Sequence, residues 1–438
     1  MKFREGPKMR FAFILVLSIL AIPADAQTGW KTVSPEIQSI VDSVSKESLE
    51  SMLRQLEAFE TRNTMSDQTS PRTGIGAARQ WIYDQFKSFS PRLEVSFDTH
   101  QIPKGGRIYR DVELRNVIAV LPGTDPIGKN RRFIISGHYD SISETSYTAG
   151  SRSETKAPGA NDDGSGTAAV LEAARILSKF EFPHTFVFVA FAGEEQGLIG
   201  SGRLAKRAKD EHWMIDGVLN NDIVGNSIGG SGKNLNQTLR VFSEEPNDSP
   251  SRQIARYLKE AGERYTPAVN VDLIFRHDRF ARGGDHTSFN RVGFPAVRIT
   301  VAEENYSRQH TMDDTLEGID LNYLSRAVRI NIAALASLAK APSAPKLGAL
   351  GRQPSGYDAN LKWEPAEGNP GGYVVVMRKT TSPLWEKELY VGNVLQFVLK
   401  DVSIDEWVFG VRAIGKDGSE SLTSVWTTSA APEARTIQ

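Results

Sequence analysis

The sequence predicts an α/β domain of three layers, with a mostly parallel sheet between helices, followed by a small all-β sandwich. Three observations carry this. Strand-like and helix-like segments alternate from about residue 93 to residue 340. The strand candidates there are continuously apolar, as in Phe186-Val187-Phe188-Val189-Ala190-Phe191, which suits strands covered on both faces. Past Ala341-Pro342-Ser343-Ala344-Pro345, a linker by composition, short alternating segments are divided by Gly, Asn, Asp and Pro turns.

The elements follow in chain order. Lys2, Arg4, Lys8 and Arg10 precede a short apolar run, Phe11 to Ile22, and then Ala24-Asp25-Ala26. This pattern is that of a signal peptide over 1–26, with the mature chain starting at Gln27 and carrying no membrane span. Ser34 and Pro35 open a helical stretch with apolar residues at Ile37, Ile40, Val41, Val44, Leu49, Met52, Leu53 and Leu56. A second helix is expected from Gly76 to Phe89. Strands are expected over 93–102, 116–121, 132–136, 185–191, 218–222 and 296–300. Helices are expected over 167–180, 198–209, 252–261 and 322–339. The sandwich strands are expected over 361–363, 373–379, 388–391, 394–399 and 407–414.

Composition narrows the function. Formal net charge is -1 and no Lys/Arg block stands out, so no nucleic-acid partner is expected. The chain has no cysteine. An exported chain without disulfides fits a bacterial periplasmic or extracellular protein.

Ligands of open α/β sheets sit beyond the carboxyl ends of strands, so the residues that follow the expected strands are the ones to weigh. Gly137-His138-Tyr139-Asp140 follows one, placing a His that can bind metal beside an Asp that can orient it. Pro158-Gly159-Ala160-Asn161-Asp162-Asp163-Gly164-Ser165-Gly166 opens a helix with two adjacent carboxylates. Asn161, Asp163, Ser165, Gly166 and Glu172 also fall at EF-hand spacing. Pro158-Gly159 precludes the entering helix, so calcium is set aside. Glu194 and Glu195 follow the apolar strand, where unpaired carboxylates would be costly. Asp222 ends another strand, and His310 precedes the last long helix. Two His and several carboxylates at one sheet edge suit zinc, with mixed nitrogen and oxygen ligands and positions left for water. His286, near a strand, is expected to shape the pocket.

The series GHYDS, PGANDDGSG, FAGEEQGLIGS, NNDIVG and QHTMDDT, in that order, resembles the co-catalytic di-zinc aminopeptidases of the bacterial leucyl and aminopeptidase Y types, in peptidase clan MH. The resemblance spans about residues 45 to 340. It implies the zinc-exopeptidase fold, with a central mixed, mostly parallel sheet. It implies two Zn2+: His138 and Asp222 on one, Glu195 and His310 on the other, and Asp162 bridging. It implies Glu194 as general base and Asp140 in support of His138. Several relatives carry Tyr just before the last His, where it polarises the substrate carbonyl. Here that position is Gln309, so its amide or the nearby Tyr306 is expected in that role. The C-terminal segment resembles a fibronectin type III domain, with Trp363 early and Trp407 where many members have a Tyr. The expected organisation is a signal peptide over 1–26, a zinc peptidase domain over 27–340, a linker over 341–346 and the sandwich over 347–430.

The expected activity is removal of N-terminal residues from peptides, with the sandwich contacting a surface or polymer. Glutamate-type carboxypeptidases and glutaminyl cyclases share the fold and are the enzymatic alternatives. A peptidase fold that only binds is the non-enzymatic one. The cyclases resemble a one-zinc version, and a binding protein predicts lost ligands, whereas all five are present.

Overall fold

The structure is a computed structural model that describes residues 31–143, 153–348, 351–352 and 358–427. The signal peptide expected over 1–26 lies outside the described residues. Among these residues no helix is long and apolar enough to cross a membrane.

The N-terminal helical stretch is two helices, α1 (Pro35–Asp42) and α2 (Lys46–Ala58). The break has a local cause: Ser45 is extended, and its side chain accepts the Ser48 amide, so a new helix is capped there. Next come α3 (Gly74–Phe89), β1 (Glu94–Ile102), β2 (Val112–Leu121), β3 (Arg131–His138), α4 (Gly164–Leu177), β4 (Thr185–Phe191), α5 (Ile199–Asp210) and β5 (Met214–Asn221). Then follow β6 (Thr238–Ser243), α6 (Pro250–Tyr265), β7 (Asn270–Ile274), α7 (Asp285–Arg291), β8 (Ala296–Val301) and α8 (Leu321–Lys340). The short elements β6, β7 and α7 are absent from the sequence expectation. β6 and β7 interleave polar and apolar residues over a few positions, too little for a periodic signal.

The strands form one eight-stranded sheet in the order β1-β2-β4-β3-β5-β8-β6-β7. β4, β3, β5 and β8 are mutually parallel, while β2 joins β4, and β6 joins β8, antiparallel. The sheet is mixed, as expected. Its apolar strands serve two cores, because successive side chains point to opposite faces. Phe186, Phe188 and Ala190 of β4 join the larger core with α1 to α4, α6 and α8. Val187, Val189 and Phe191 join the smaller one with Leu204, Ala205 and Ala208 of α5 and Phe289 of α7.

Beyond α8 all pairings are antiparallel. β9 (Gly351–Arg352), β10 (Ala359–Lys362) and β13 (Gln396–Leu399) form a three-stranded sheet. β11 (Gly372–Lys379), β12 (Lys387–Gly392), β14 (Trp407–Ile414) and β15 (Ser424–Val425) form a four-stranded one. Trp363, Tyr373, Val375, Phe409, Val411 and Trp426 fill the core they share. This unit docks on α6 through charge. The buried Arg412 reaches Glu260 at 2.6 Å and Glu420 at 3.0 Å, and Arg264 reaches Glu420 at 2.7 Å.

Candidate active site

Four parallel strands side by side put four carboxyl ends on one edge, and the chain places an acid or His as it leaves each. His138 is the last residue of β3, in register with Phe191 at the end of β4. Glu194 and Glu195 follow β4, Asp222 follows β5, and His310 lies in the loop after β8. Asp162 comes from the loop that enters α4. From β3 the chain crosses through α4 to β4 on one side, then through α5 to β5 on the other. That reversal opens a crevice at the carboxyl end of β3, where such folds bind ligands.

The side chains converge there. Asp162 Oδ1 lies 3.2 Å from His138 Nε2, and its Oδ2 lies 3.0 Å from His310 Nε2. Glu195 Oε1 is 3.1 Å from His310 Nε2. Three sets, His138 with Glu194 and Glu195, His138 with Asp162 and Asp222, and Asp162 with Glu195 and His310, each bring their ligand atoms within 4.8 Å of one another. Asp162 thus presents one oxygen to each His, as a bridging carboxylate must. Two imidazole nitrogens among several carboxylates fit zinc.

Supporting groups hold this geometry. His138 Nδ1 is 3.0 Å from the Asp140 main-chain carbonyl, which can only accept, so the proton sits on Nδ1 and Nε2 is left for a metal. The Asp140 carboxylate accepts the main-chain N–H groups of Glu194 and Glu195, at 3.2 Å each. One residue therefore orients both His138 and the Glu194-Glu195 turn. Asp163 points away from Asp162. It caps α4 through the Gly166 amide and also accepts the amides of His138 and Ile223. A side chain at Gly166 would come within 2.3 Å of the Asp163 carboxylate and 2.4 Å of the Asn221 carbonyl, so only Gly lets α4 approach β5 this closely.

Three supporting residues are not among those expected from the sequence. Asp314 accepts the Asn161 and Asp162 amides and so fixes the bridging loop. Arg62, fully buried, donates to the Tyr139, Pro158 and Gly159 carbonyls. Arg298, fully buried in β8, pairs with Asp222 at 3.0 Å and Asp278 at 3.5 Å. Its signal was a lone Arg in the apolar run Ala296-Val297-Arg298-Ile299, where a charge must have partners.

Of the residues expected to touch substrate, Gln309 donates through Nε2 to Asp162 Oδ2 at 2.7 Å. Its amide N–H is directed at that carboxylate. Tyr306 is exposed and lines a cavity of ≈ 620 Å³ together with Glu194, Glu195 and His310. His286 needs correction. It sits in α7, is fully buried, lines neither this cavity nor its neighbour, and its Nε2 is 2.7 Å from the His277 carbonyl. Helix α7 packs it into the interior behind Asp222.

Burial pushes the Glu194 carboxyl well above its ordinary range, with Glu195, Asp285 and Asp222 adding to the shift and His138 opposing it. Burial likewise raises Asp285 to about 7. Burial would lower His310, but Glu195 and Asp162 hold it up at about 12. Burial would raise Asp162, but His138 and His310 hold it well below its ordinary range, so protons collect on the imidazoles and on the other buried acids, and the same field favours a divalent cation in their place.

Comparison with known proteins agrees with this geometry. The sequence profile described as peptidase family M28 matches residues 116–335. A protein of the fungus Leptosphaeria maculans described as "probable zinc metalloprotease" is 37% identical over 420 residues, covering 88% of this chain and 95% of its own. The LapA aminopeptidase of Legionella pneumophila superposes with a TM-score of 0.54 at 20% identity, covering 70% of this chain and 75% of its own. A glutaminyl cyclase of Macrostomum lignano does so with 0.55 at 18%, covering 70% and 92%. The two structures speak to fold alone.

Proposed function

The chain belongs to peptidase family M28, and from that premise we propose that it is a zinc-dependent aminopeptidase, exported after removal of residues 1–26, that trims N-terminal residues from peptides. The observation that carries the reading is Asp162, with one carboxylate oxygen facing His138 and the other facing His310. Two cations flanking Asp162 would account for that arrangement. His138 and Asp222 would hold one zinc, Glu195 and His310 the other. Zinc bound there supplies Lewis acidity to an attacking water and to the scissile carbonyl.

The protein's own groups do the rest. Glu194 neighbours the ligand set without being needed to complete it. Its place on the cavity wall beside the ligand set suits a base that takes a proton from water and returns it to the leaving amine. Asp140 is a positioning residue, acting through His138 and the Glu194-Glu195 turn. The hydroxyl of Tyr306 serves the substrate carbonyl, because the Gln309 amide N–H is directed at Asp162. The free α-amine of the peptide is drawn to the acidic shell. Residues 27–340 would form the peptidase domain and 341–346 a linker. We read 347–430 as a fibronectin type III-like spacer or docking domain.

The test is hydrolysis of a panel of aminoacyl-anilides with and without a chelator, alongside zinc analysis. Two zinc ions per chain and chelator-sensitive hydrolysis are expected. One zinc with cyclisation of N-terminal Gln would assign the cyclase reaction instead. No zinc and no turnover would leave a binding protein.

A further inference from the structure

The cavity that opens on Glu194, Glu195 and His310 also carries two guanidinium groups that hydrolysis does not use. Arg107, between β1 and β2, and Arg282, in the loop before α7, both line it. Arg107 donates one N–H to the Glu195 main-chain carbonyl at 2.9 Å. That bond ties the guanidinium to the metal-ligand turn and leaves most of its donors unspent. Arg282 lies over the Tyr306 ring, 6.0 Å from its centroid. Among the described residues neither forms an ion pair with a carboxylate, whereas the buried Arg298 and Arg412 are both paired.

The neighbouring cavity, ≈ 370 Å³ and sharing Gln309 as a wall, is more acidic. Asp162, Asp314, Glu317 and Asp320 line it, with Arg308 as its cation. In the first cavity the two guanidinium groups offset Glu194 and Glu195, so the lining becomes less negative from the second cavity to the first. A molecule with an ammonium at one end and a carboxylate at the other fits in a single direction. A guanidinium fork suits that carboxylate because it can donate two parallel hydrogen bonds.

Resting on the aminopeptidase reading, we propose that Arg107 and Arg282 bind a carboxylate on the leaving-group side of the scissile bond. The preferred substrates are then short peptides whose free carboxyl terminus falls in this cavity, or peptides with an acidic side chain there. A cavity of ≈ 620 Å³ accommodates a ligand of that size.

The experiment measures binding to the zinc-loaded Glu194→Gln protein by titration calorimetry, so it needs no turnover. One pair of ligands is Leu-Gly-Gly and its C-terminal amide. The other is Leu-Asp-amide and Leu-Asn-amide. The first pair reports a terminal carboxylate and the second a side-chain one. In at least one pair the acid should bind roughly tenfold more tightly, the discrimination of one good charged contact. It should fall towards equality when Arg107→Met and Arg282→Met are added, with Arg282→Lys retaining part. Each single Met variant replaces the double one if the latter does not fold. Equal binding within both pairs, no binding of either acid, or discrimination that survives the Met substitutions overturns the proposal. Absence of anilide hydrolysis in the unmutated protein would instead sink the aminopeptidase reading and leave this binding result interpretable.

Discussion

Glu194 and Glu195 are chain neighbours that both line the cavity, and the turn after β4 aims Glu195 at His310. If Glu194 moves protons, Glu194→Gln should keep its zinc and lose at least 100-fold in kcat, within the range of general acid–base catalysis. Steady-state kinetics with metal analysis check this, and undiminished turnover removes Glu194 from the role. Arg298 makes a different case. It is buried against Asp222, Asp278 and Glu304. Arg298→Met leaves the buried Asp222 without its ion-pair partner, while Asp278 and Glu304 keep Arg279, and should cost about 3–5 kcal/mol. Denaturant unfolding reads this, and a midpoint like that of the unmutated protein would contradict it. Four of the five candidate ligands were legible because each is an acid or His beside a strand end or a Gly-rich loop, and His310 because it precedes the last long helix within the QHTMDDT motif. Asp314, Arg62 and Arg298 were not, because their importance lies in partners far away in sequence.

The elements at the opposite edge of the sheet carry a pH response of their own. His184, just before β4, has Nε2 2.9 Å from an Arg131 guanidinium nitrogen on β3. A guanidinium can only donate, so Nε2 must stay unprotonated. Burial, and then Arg131, lower the imidazole from 6.5 to about 4. Between those values the unfolded chain binds a proton that the folded chain does not. The contribution of His184 to stability should therefore fall as pH drops below about 6.5 and level off below about 4, at most about 3 kcal/mol. His184→Gln, which keeps an acceptor for Arg131, should flatten that slope. The comparison uses metal-free protein at pH 7.5 and 5, so zinc release does not contribute, and equal slopes would refute it. At this scale β4 and β14 were readable to the residue, since both are continuous apolar or alternating runs. Helix α4 starts three residues earlier than its apolar pattern, because Asp163 caps it. Strand β6 and the edge strand β7 were invisible, being short and supported by neighbours rather than by their own pattern.

The whole molecule has two cores on the faces of one sheet and a third in the C-terminal unit, joined to the rest by Arg412, Glu260, Glu420 and Arg264. If the central cluster holds zinc, its ligands come from five separate stretches of chain, and the metal ties them together only in the folded state. Zinc at 100 times its dissociation constant would then add about 2.7 kcal/mol. A chelator should lower the thermal unfolding midpoint by a few degrees, and added zinc should restore it. Calorimetric traces that coincide with and without chelator would count against a structural contribution from the metal.

From the chain alone one could read an α/β layer, the change of style after residue 340 and which side chains stand at strand ends. Those features are local, set by periodicity over a few residues. Tertiary structure decided the rest. It turned the two oxygens of Asp162 towards different His, sent His286 into the interior, directed the Gln309 amide at Asp162 and supplied Asp222 with Arg298. Each depends on groups brought together from distant parts of the chain, where sheet order and packing, rather than sequence spacing, set the distance.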